Sequence, residues 1–177
     1  MNSPRPCTLY DGARYDVSQS VGHQLFHLMV MIRREVEIRM AELGLTDAQW
    51  KPLMMLKDSR ATTAIELARE MNVDAGAITR LVDRLEAKGL VERVRSESDR
   101  RVVRLRLTAA GVAVAERVPP VLAAVNNDFL GGFSESEWKQ LRNFLDRLAA
   151  NGQTLQAERA IAPAERTPAL AERTTTP

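Results

Sequence analysis

The spacing of apolar residues predicts a mainly helical chain. From about Val17 to Leu43 they recur at three- and four-residue steps, the period of one helix face, and Gly44 ends the segment. Apolar residues also lie on neighbouring faces of this helix, so more than one surface must cover it. Residues 1–16 carry prolines and little periodicity, which predicts an arm that is ordered only when a partner holds it.

Capping signals place the next two helices. Thr46 with Gln49, and Thr63 with Glu66, match the capping box found at helix N-termini. Pro52 lies inside the first of these helices, where it removes a backbone donor and should bend the helix. The second is short and is followed by a tight turn.

A third helix and two strands complete a recognisable order. Asp74 caps the helix, Gly89 ends it, and its inward positions fall at helical spacing: Ile78, Leu81, Val82 and Leu85. The period then changes to two, which predicts strands at 90–95 and 102–107 joined by a turn at 96–99. Two helices about a tight turn, followed by a hairpin, predict a winged helix-turn-helix.

The C-terminal part is again helical. Thr108 caps a helix that Pro119–Pro120 should interrupt, and Ser134 opens a last helix that runs to about residue 150. Beyond it, Ala-Glu-Arg repeats with prolines predict disorder. The predicted organisation is an N-terminal arm (1–16), a helical dimerisation region (17–45 and 108–150), a winged helix-turn-helix lobe (46–107) and a disordered tail (151–177).

Composition narrows the function classes. Of 177 residues 45% are hydrophobic, and no run reaches the roughly 18 apolar residues of a membrane span. With one cysteine, Cys7, and two histidines, His23 and His27, there is neither a thiolate metal cage nor an evident nucleophile. We therefore expect a cytoplasmic protein that is not an enzyme and needs no cofactor.

Charge is concentrated in the predicted hairpin. The chain carries only +2 overall, but residues 93–106 have six arginines against two acids. This local positive charge would attract a polyanion. A solvated strand face is the plainer interpretation of these arginines. The neighbouring helix favours nucleic acid instead.

The outward face of the 74–88 helix has the residues for reading DNA. On a helical wheel Gly76, Thr79, Arg80 and Asp83 point away from the inward positions, and Arg84 lies to one side. Arginine can make a bidentate contact to guanine, and a bare backbone near a helix N-terminus favours phosphate. We expect Asp83 to hold Arg84 or a hairpin arginine. The candidate DNA-binding residues are Thr63, Asp74, Gly76, Thr79, Arg80, Arg84, Ser96, Ser98, Arg100 and Arg101.

These motifs resemble a known family. Residues 78–91 (ITRLVDRLEAKGLV), 98–101 (SDRR) and 105–108 (LRLT) are similar to the signature of the MarR (multiple-antibiotic-resistance regulator) family. The resemblance implies a homodimeric winged-helix repressor that binds palindromic promoter DNA and is released by phenolic or aromatic carboxylate ligands, or by oxidants. It also implies that Asp99 and Arg101 shape the wing while Arg100 enters the minor groove.

Dimerisation is expected from the residues as well. The first helix and the last two have more apolar surface than one small lobe can bury, so a core shared about a two-fold axis is expected. Its two recognition helices would dock on half-sites about 34 Å apart.

The effector site is less defined. An aromatic carboxylate could stack near Trp50 and pair with Arg33 or with His23 or His27 in a cleft beside the lobe. Alternatives stay open: a staple role for Trp50 with core histidines, a metal on the two histidines, or redox sensing through Cys7. For the whole chain, the rivals are a winged-helix module that binds another protein and, least favoured, a helical enzyme.

Overall fold

The computed structural model describes residues 8–95 and 102–161. The helices are α1 (Val21–Ala41), α2 (Asp47–Lys57), α3 (Ala64–Met71), α4 (Ala75–Ala87), α5 (Ala109–Phe129) and α6 (Glu135–Ile161), and the strands are β1 (Val91–Arg95) and β2 (Val103–Leu107). Two short 3-10 turns, Gly12–Arg14 and Val17–Gln19, precede α1. The prediction of a mainly helical fold with a small hairpin is confirmed.

The chain divides into two compact units, residues 1–129 and 130–177. The first contains α1 to α5 and the hairpin around one core, to which every one of these helices contributes. Its fully buried residues include Met40, Leu53, Leu67, Ile78 and Val118. In the second unit the described element is α6.

The capping residues act as the sequence predicts. Thr46 and Thr63 each form a capping box, and the Asp74 carboxylate accepts the Ala77 amide at 2.8 Å. Gly89 has φ +66°, a left-handed conformation that lets the chain leave α4 for β1. Pro52 lies inside α2, fully buried in the core.

The hairpin is antiparallel and is attached to the helices at its base. Val91 pairs with Leu107 and Arg95 with Val103. The Leu105 amide also donates to the Thr62 carbonyl at 2.8 Å, so the segment before α3 supplies a backbone bond to β2. This bond attaches the base of the hairpin to the segment that leads into α3.

The expected break at Pro119–Pro120 is wrong. Helix α5 is continuous from Ala109 to Phe129 and contains both prolines. Each proline inside a helix costs on the order of 3 kcal/mol. Val118 and Val125, however, are fully buried on either side, and α5 packs on α1 and α2. Tertiary packing therefore outweighs the two missing backbone donors.

Two terminal boundaries also differ from expectation. Helix α6 runs to Ile161, so residues 151–161 are helical and not part of a disordered tail. Gly152 is tolerated there, since the residues from Gln153 to Ala160 contain no proline and several strong helix formers. At the N-terminal end, α1 begins at Val21 and not at about Val17, because Val17–Gln19 forms a 3-10 turn; the Tyr10 hydroxyl of the preceding arm accepts the Val21 amide at 2.9 Å. Residues 162–177 and 1–7 lie outside the described part.

Candidate nucleic-acid interface

Helix α4 separates an apolar face from a polar one. Ile78, Leu81, Val82 and Leu85 are at most 8% exposed. Gly76, Thr79, Arg80 and Arg84 are all exposed. The prediction that the Arg80 side of the helix faces solvent is confirmed.

Backbone and side-chain contacts shape the N-terminal end of this face. A Cβ built on Gly76 would lie 3.1 Å from Asp74 Oδ1 and 3.5 Å from Arg80 Nη1. The Arg80 guanidinium therefore lies beside the bare Gly76 backbone. The Thr79 hydroxyl donates to the Ala75 carbonyl at 2.9 Å, which leaves its oxygen as an acceptor for an amino group.

The first helix of the pair begins with a tightly bonded carboxylate. Glu66 Oε2 accepts from the Thr62 amide at 2.6 Å, the Thr62 hydroxyl at 3.0 Å and the Thr63 amide at 3.1 Å. These bonds, the Thr62 amide foremost, hold the pKa of Glu66 below its ordinary value of 4.5. The Thr63 hydroxyl accepts the Glu66 amide, so Thr63 is the cap of α3.

The C-terminal end of α4 is tied to the α1–α2 turn. Lys88 Nζ donates to the Gly44 carbonyl at 2.6 Å and to Gln49 Oε1 at 2.8 Å. Gln49 is buried and also accepts the Thr46 amide in its capping box. One glutamine thus caps α2 and holds the end of α4.

The arginines of the hairpin divide between its two faces. Arg93 shares the core-facing side with Val91, while Arg104 and Arg106 lie on the opposite side. Arg93 binds Asp83 Oδ1 at 2.6 Å and also Glu86, and Arg106 binds Glu92 at 2.9 Å. The hydrogen bond that Arg93 donates to the Asp83 carboxylate is the main reason that the pKa of Arg93 is raised.

These ion pairs change the charge expected for the hairpin from its sequence. Asp83 does hold a hairpin arginine, namely Arg93, as predicted. Among the described hairpin residues, Arg93 and Arg106 are thereby paired with carboxylates, which a count of charges along the sequence cannot show. The candidates Ser96, Ser98, Arg100 and Arg101, and Asp99 with them, lie outside the described residues.

A cavity that the sequence analysis missed lies beside α4. It has a volume of about 330 Å³ and is lined mostly by apolar side chains of α2, α3 and α4 together with Arg80 and Arg84. Ala48 forms part of its wall from α2. Local spacing could not reveal it, because its walls come from segments about thirty residues apart.

The predicted effector residues fall into two pairs in the described structure. Asp47 binds Arg33 at 2.7 Å and accepts from Trp50 Nε1 at 3.2 Å, so a carboxylate of the chain already joins these two. His23 and His27 instead contact each other, with ring centroids 4.3 Å apart. Within residues 8–95 and 102–161 no three potential metal ligands come together. Cys7 lies outside this part of the chain.

A helix-turn-helix whose second helix exposes Arg80 and Arg84, followed by a two-stranded hairpin, defines a winged-helix protein. A search for families matches residues 45–103 to the MarR family. Over 78 residues the chain is 40% identical to the multiple antibiotic resistance protein MarR of Escherichia coli. This segment is 44% of the chain and spans only 54% of that curated relative.

Solved structures extend the similarity over most of the chain. Transcriptional regulator PA3341 is 33% identical with a TM-score of 0.64, over 76% of this chain and 99% of that one. A mutant MarR from E. coli complexed with operator DNA is 27% identical with a TM-score of 0.65, over 76% of this chain and 99% of that one. The MarR family protein Rv2887 of Mycobacterium tuberculosis, in complex with p-aminosalicylic acid, is 29% identical with a TM-score of 0.61, over 73% of this chain and 98% of that one.

The chain belongs to the MarR family of transcriptional regulators. No helix in the described ranges has the length and apolar character needed to cross a bilayer.

Proposed function

We propose that the protein is a homodimeric repressor that places α4 in the major groove of palindromic promoter DNA and its hairpin against the neighbouring minor groove. The observation that carries this proposal is the exposed Arg80 face of α4 beside the arginine-bearing hairpin. An operator complex of a relative with a TM-score of 0.65 supports it. The chain would act by occupying DNA and not by chemistry.

Exposed apolar residues on α1 support the dimer. Val36 and Met40, in its C-terminal half, are buried in the core of the first unit. Its N-terminal half presents large apolar side chains that are 39–65% exposed: Val21, Leu25, Phe26, Leu28, Met29, Val30 and Met31. A surface of this kind marks a protein–protein contact, and a second copy would supply the two-fold pair of recognition helices.

DNA recognition is tested by the binding of purified protein to a promoter fragment at several salt concentrations. Arg80→Ala should lose about 1–3 kcal/mol of discrimination at one base pair, whereas Arg100→Ala should weaken binding to all sequences and flatten the salt dependence. Arg117→Ala on α5 is the matched control, because it removes the same charge from an exposed helix position. Unchanged DNA affinity in both test variants would favour a protein-binding module.

We propose further that a small aromatic carboxylate or phenol releases the DNA, and that it binds in the cavity beside α4. Apolar walls suit an aromatic ring, two guanidinium groups suit a carboxylate, and about 330 Å³ is within the range of small-molecule sites. Because Arg80 lines this cavity as well as the DNA-facing surface, a ligand there would compete for the side chain that reads DNA. The complex of Rv2887 with p-aminosalicylic acid supports this class of ligand.

The site first expected, at Arg33 and Trp50, is the alternative. A ligand carboxylate there would compete with Asp47, which already binds Arg33. With p-aminosalicylic acid as the probe, Arg84→Ala should weaken binding about tenfold and Trp50→Ala should not. The reverse result, measured by titration calorimetry, would place the ligand at Trp50.

A further inference from the structure

One arginine of the hairpin is held by the recognition helix itself. The Arg93 guanidinium binds Asp83 Oδ1 at 2.6 Å through one nitrogen and Glu86 through another. The two acids are three residues apart on α4 and so lie on the same side of the helix. The Arg93 side chain is 32% exposed, which is less than either carboxylate.

We propose that Arg93 is a positioning residue, which fixes the angle between the hairpin and α4 through Asp83 and Glu86 so that one duplex can meet both elements. This inference rests on the proposed function and deepens it. It assigns a supporting role in DNA binding to two carboxylates that, by charge alone, oppose it.

The hairpin needs such a contact, since an isolated two-stranded hairpin is marginally stable in water. Val91 and Leu105 anchor it in the core, with exposures of 2% and 5%, whereas Val103 farther along is 43% exposed. Arg93 pairs with Leu105, the last core-anchored residue before the exposed Arg95–Val103 pair. The planar guanidinium offers two fixed directions for hydrogen bonds, so two partners on one helix restrict its orientation more than one would.

The direction in which one double variant changes DNA affinity distinguishes a positioning role from a purely electrostatic one. Asp83→Asn with Glu86→Gln removes two negative charges next to the DNA-facing surface, so electrostatics alone predicts tighter binding. Positioning predicts weaker binding. Glu92→Gln is the matched control, because Glu92 also pairs with a hairpin arginine, Arg106, but does not reach α4.

The experiment compares wild type, the double variant, Arg93→Lys and Glu92→Gln by fluorescence anisotropy with a promoter duplex, after thermal unfolding has shown that each is folded. The double variant and Arg93→Lys should each bind about tenfold more weakly, with an unchanged salt slope. Glu92→Gln should bind as tightly as wild type or more tightly. Lysine keeps the charge of Arg93 but not its fork, so a loss of affinity with an unchanged salt slope argues against a phosphate contact and for the paired carboxylates.

Hydrogen exchange on the free protein tests the contact without DNA. Amides of 91–95 and 103–107 should exchange several-fold faster in the double variant and remain at the wild-type rate in Glu92→Gln. Tighter DNA binding by the double variant, or unchanged hairpin exchange, would overturn the inference. If wild type binds no duplex, the proposed function fails, and the exchange rates still decide whether Arg93 holds the hairpin.

Discussion

Helices α4 and α6 have the same sequence pattern and different surroundings. Each carries an apolar stripe at three- and four-residue steps. On α4 the four stripe residues are at most 8% exposed. On α6, Trp138, Phe144, Leu145 and Leu148 are 36–48% exposed. One stripe belongs to the core of the first unit, and the other is partly exposed.

Periodicity therefore identifies an apolar face but not the chain that covers it. Within the winged-helix lobe, α2, α3 and the hairpin supply the cover for α4. The exposed stripes of α6 and of the N-terminal half of α1 agree with the proposed dimer, in which a second copy would cover them. Stability of the lobe and assembly of the dimer should therefore respond to different substitutions.

The largest effect should come from truncating leucines on the two helices. Leu85→Ala on α4 removes a fully buried side chain and should cost about 2–5 kcal/mol of unfolding free energy at any protein concentration. Leu148→Ala on α6 is the matched variant and should instead lower the melting temperature in a concentration-dependent way, because it weakens association. Thermal unfolding and sedimentation at two concentrations measure this. If Leu148→Ala lost the same unfolding free energy at every protein concentration, the two apolar stripes would not differ in what covers them.

Two glycines give the next contrast. A Cβ on Gly111 would lie 1.9 Å from the Leu90 carbonyl oxygen, where the start of α5 meets the residue before β1. Gly111→Ala should therefore destabilise the protein by about 2–3 kcal/mol, since backbone must move to make room.

Gly152→Ala on α6 is the control, because nothing lies within 4 Å of the added carbon. It should stabilise by about 0.5–1 kcal/mol, as alanine is favoured over glycine inside a helix. Denaturant unfolding measures both changes. A neutral Gly111→Ala would show that α5 does not approach Leu90 as closely as described.

The smallest effect concerns the capping carboxylate of α3. The folded-state pKa of Glu66 is lowered from 4.5, so its ionised form stabilises the fold above pH 4.5 and this contribution is lost as pH falls through the folded value. Near pH 7 the free energy of unfolding of wild type should exceed that of Glu66→Gln by about 0.5 kcal/mol, and this difference should vanish in acid. Unfolding of both proteins between pH 3 and 7 checks this. A difference that grows towards low pH has the wrong sign for this account.

The sequence predicted the elements whose signals are local. Helix α4 has an N-cap, a regular stripe and a terminal glycine, and the structure places its ends within one residue of those signals. The Asp83 partner was predicted as an arginine without being identified. Choosing Arg93 required the hairpin register, which pairs it with Leu105 on the side facing α4.

What the sequence did not predict depends on contacts between distant segments. The bond from Leu105 to Thr62, the cavity beside α4 and the pairing of Asp47 with Arg33 each join parts of the chain that local spacing treats separately. The expected break at Pro119–Pro120 failed for the same reason, because buried neighbours outweigh an unfavourable local preference. Residues 151–161 show the converse, where local helix preference was underestimated.

The central claim is that the exposed face of α4 reads DNA as a symmetric pair. Selection from a random duplex library with wild type and with Arg80→Ala tests it most directly. The account predicts a palindromic motif for wild type, with half-sites about one helical turn apart, and loss of preference at one symmetric position in each half-site for the variant. The same motif with both proteins, or no enriched motif with wild type, would contradict it.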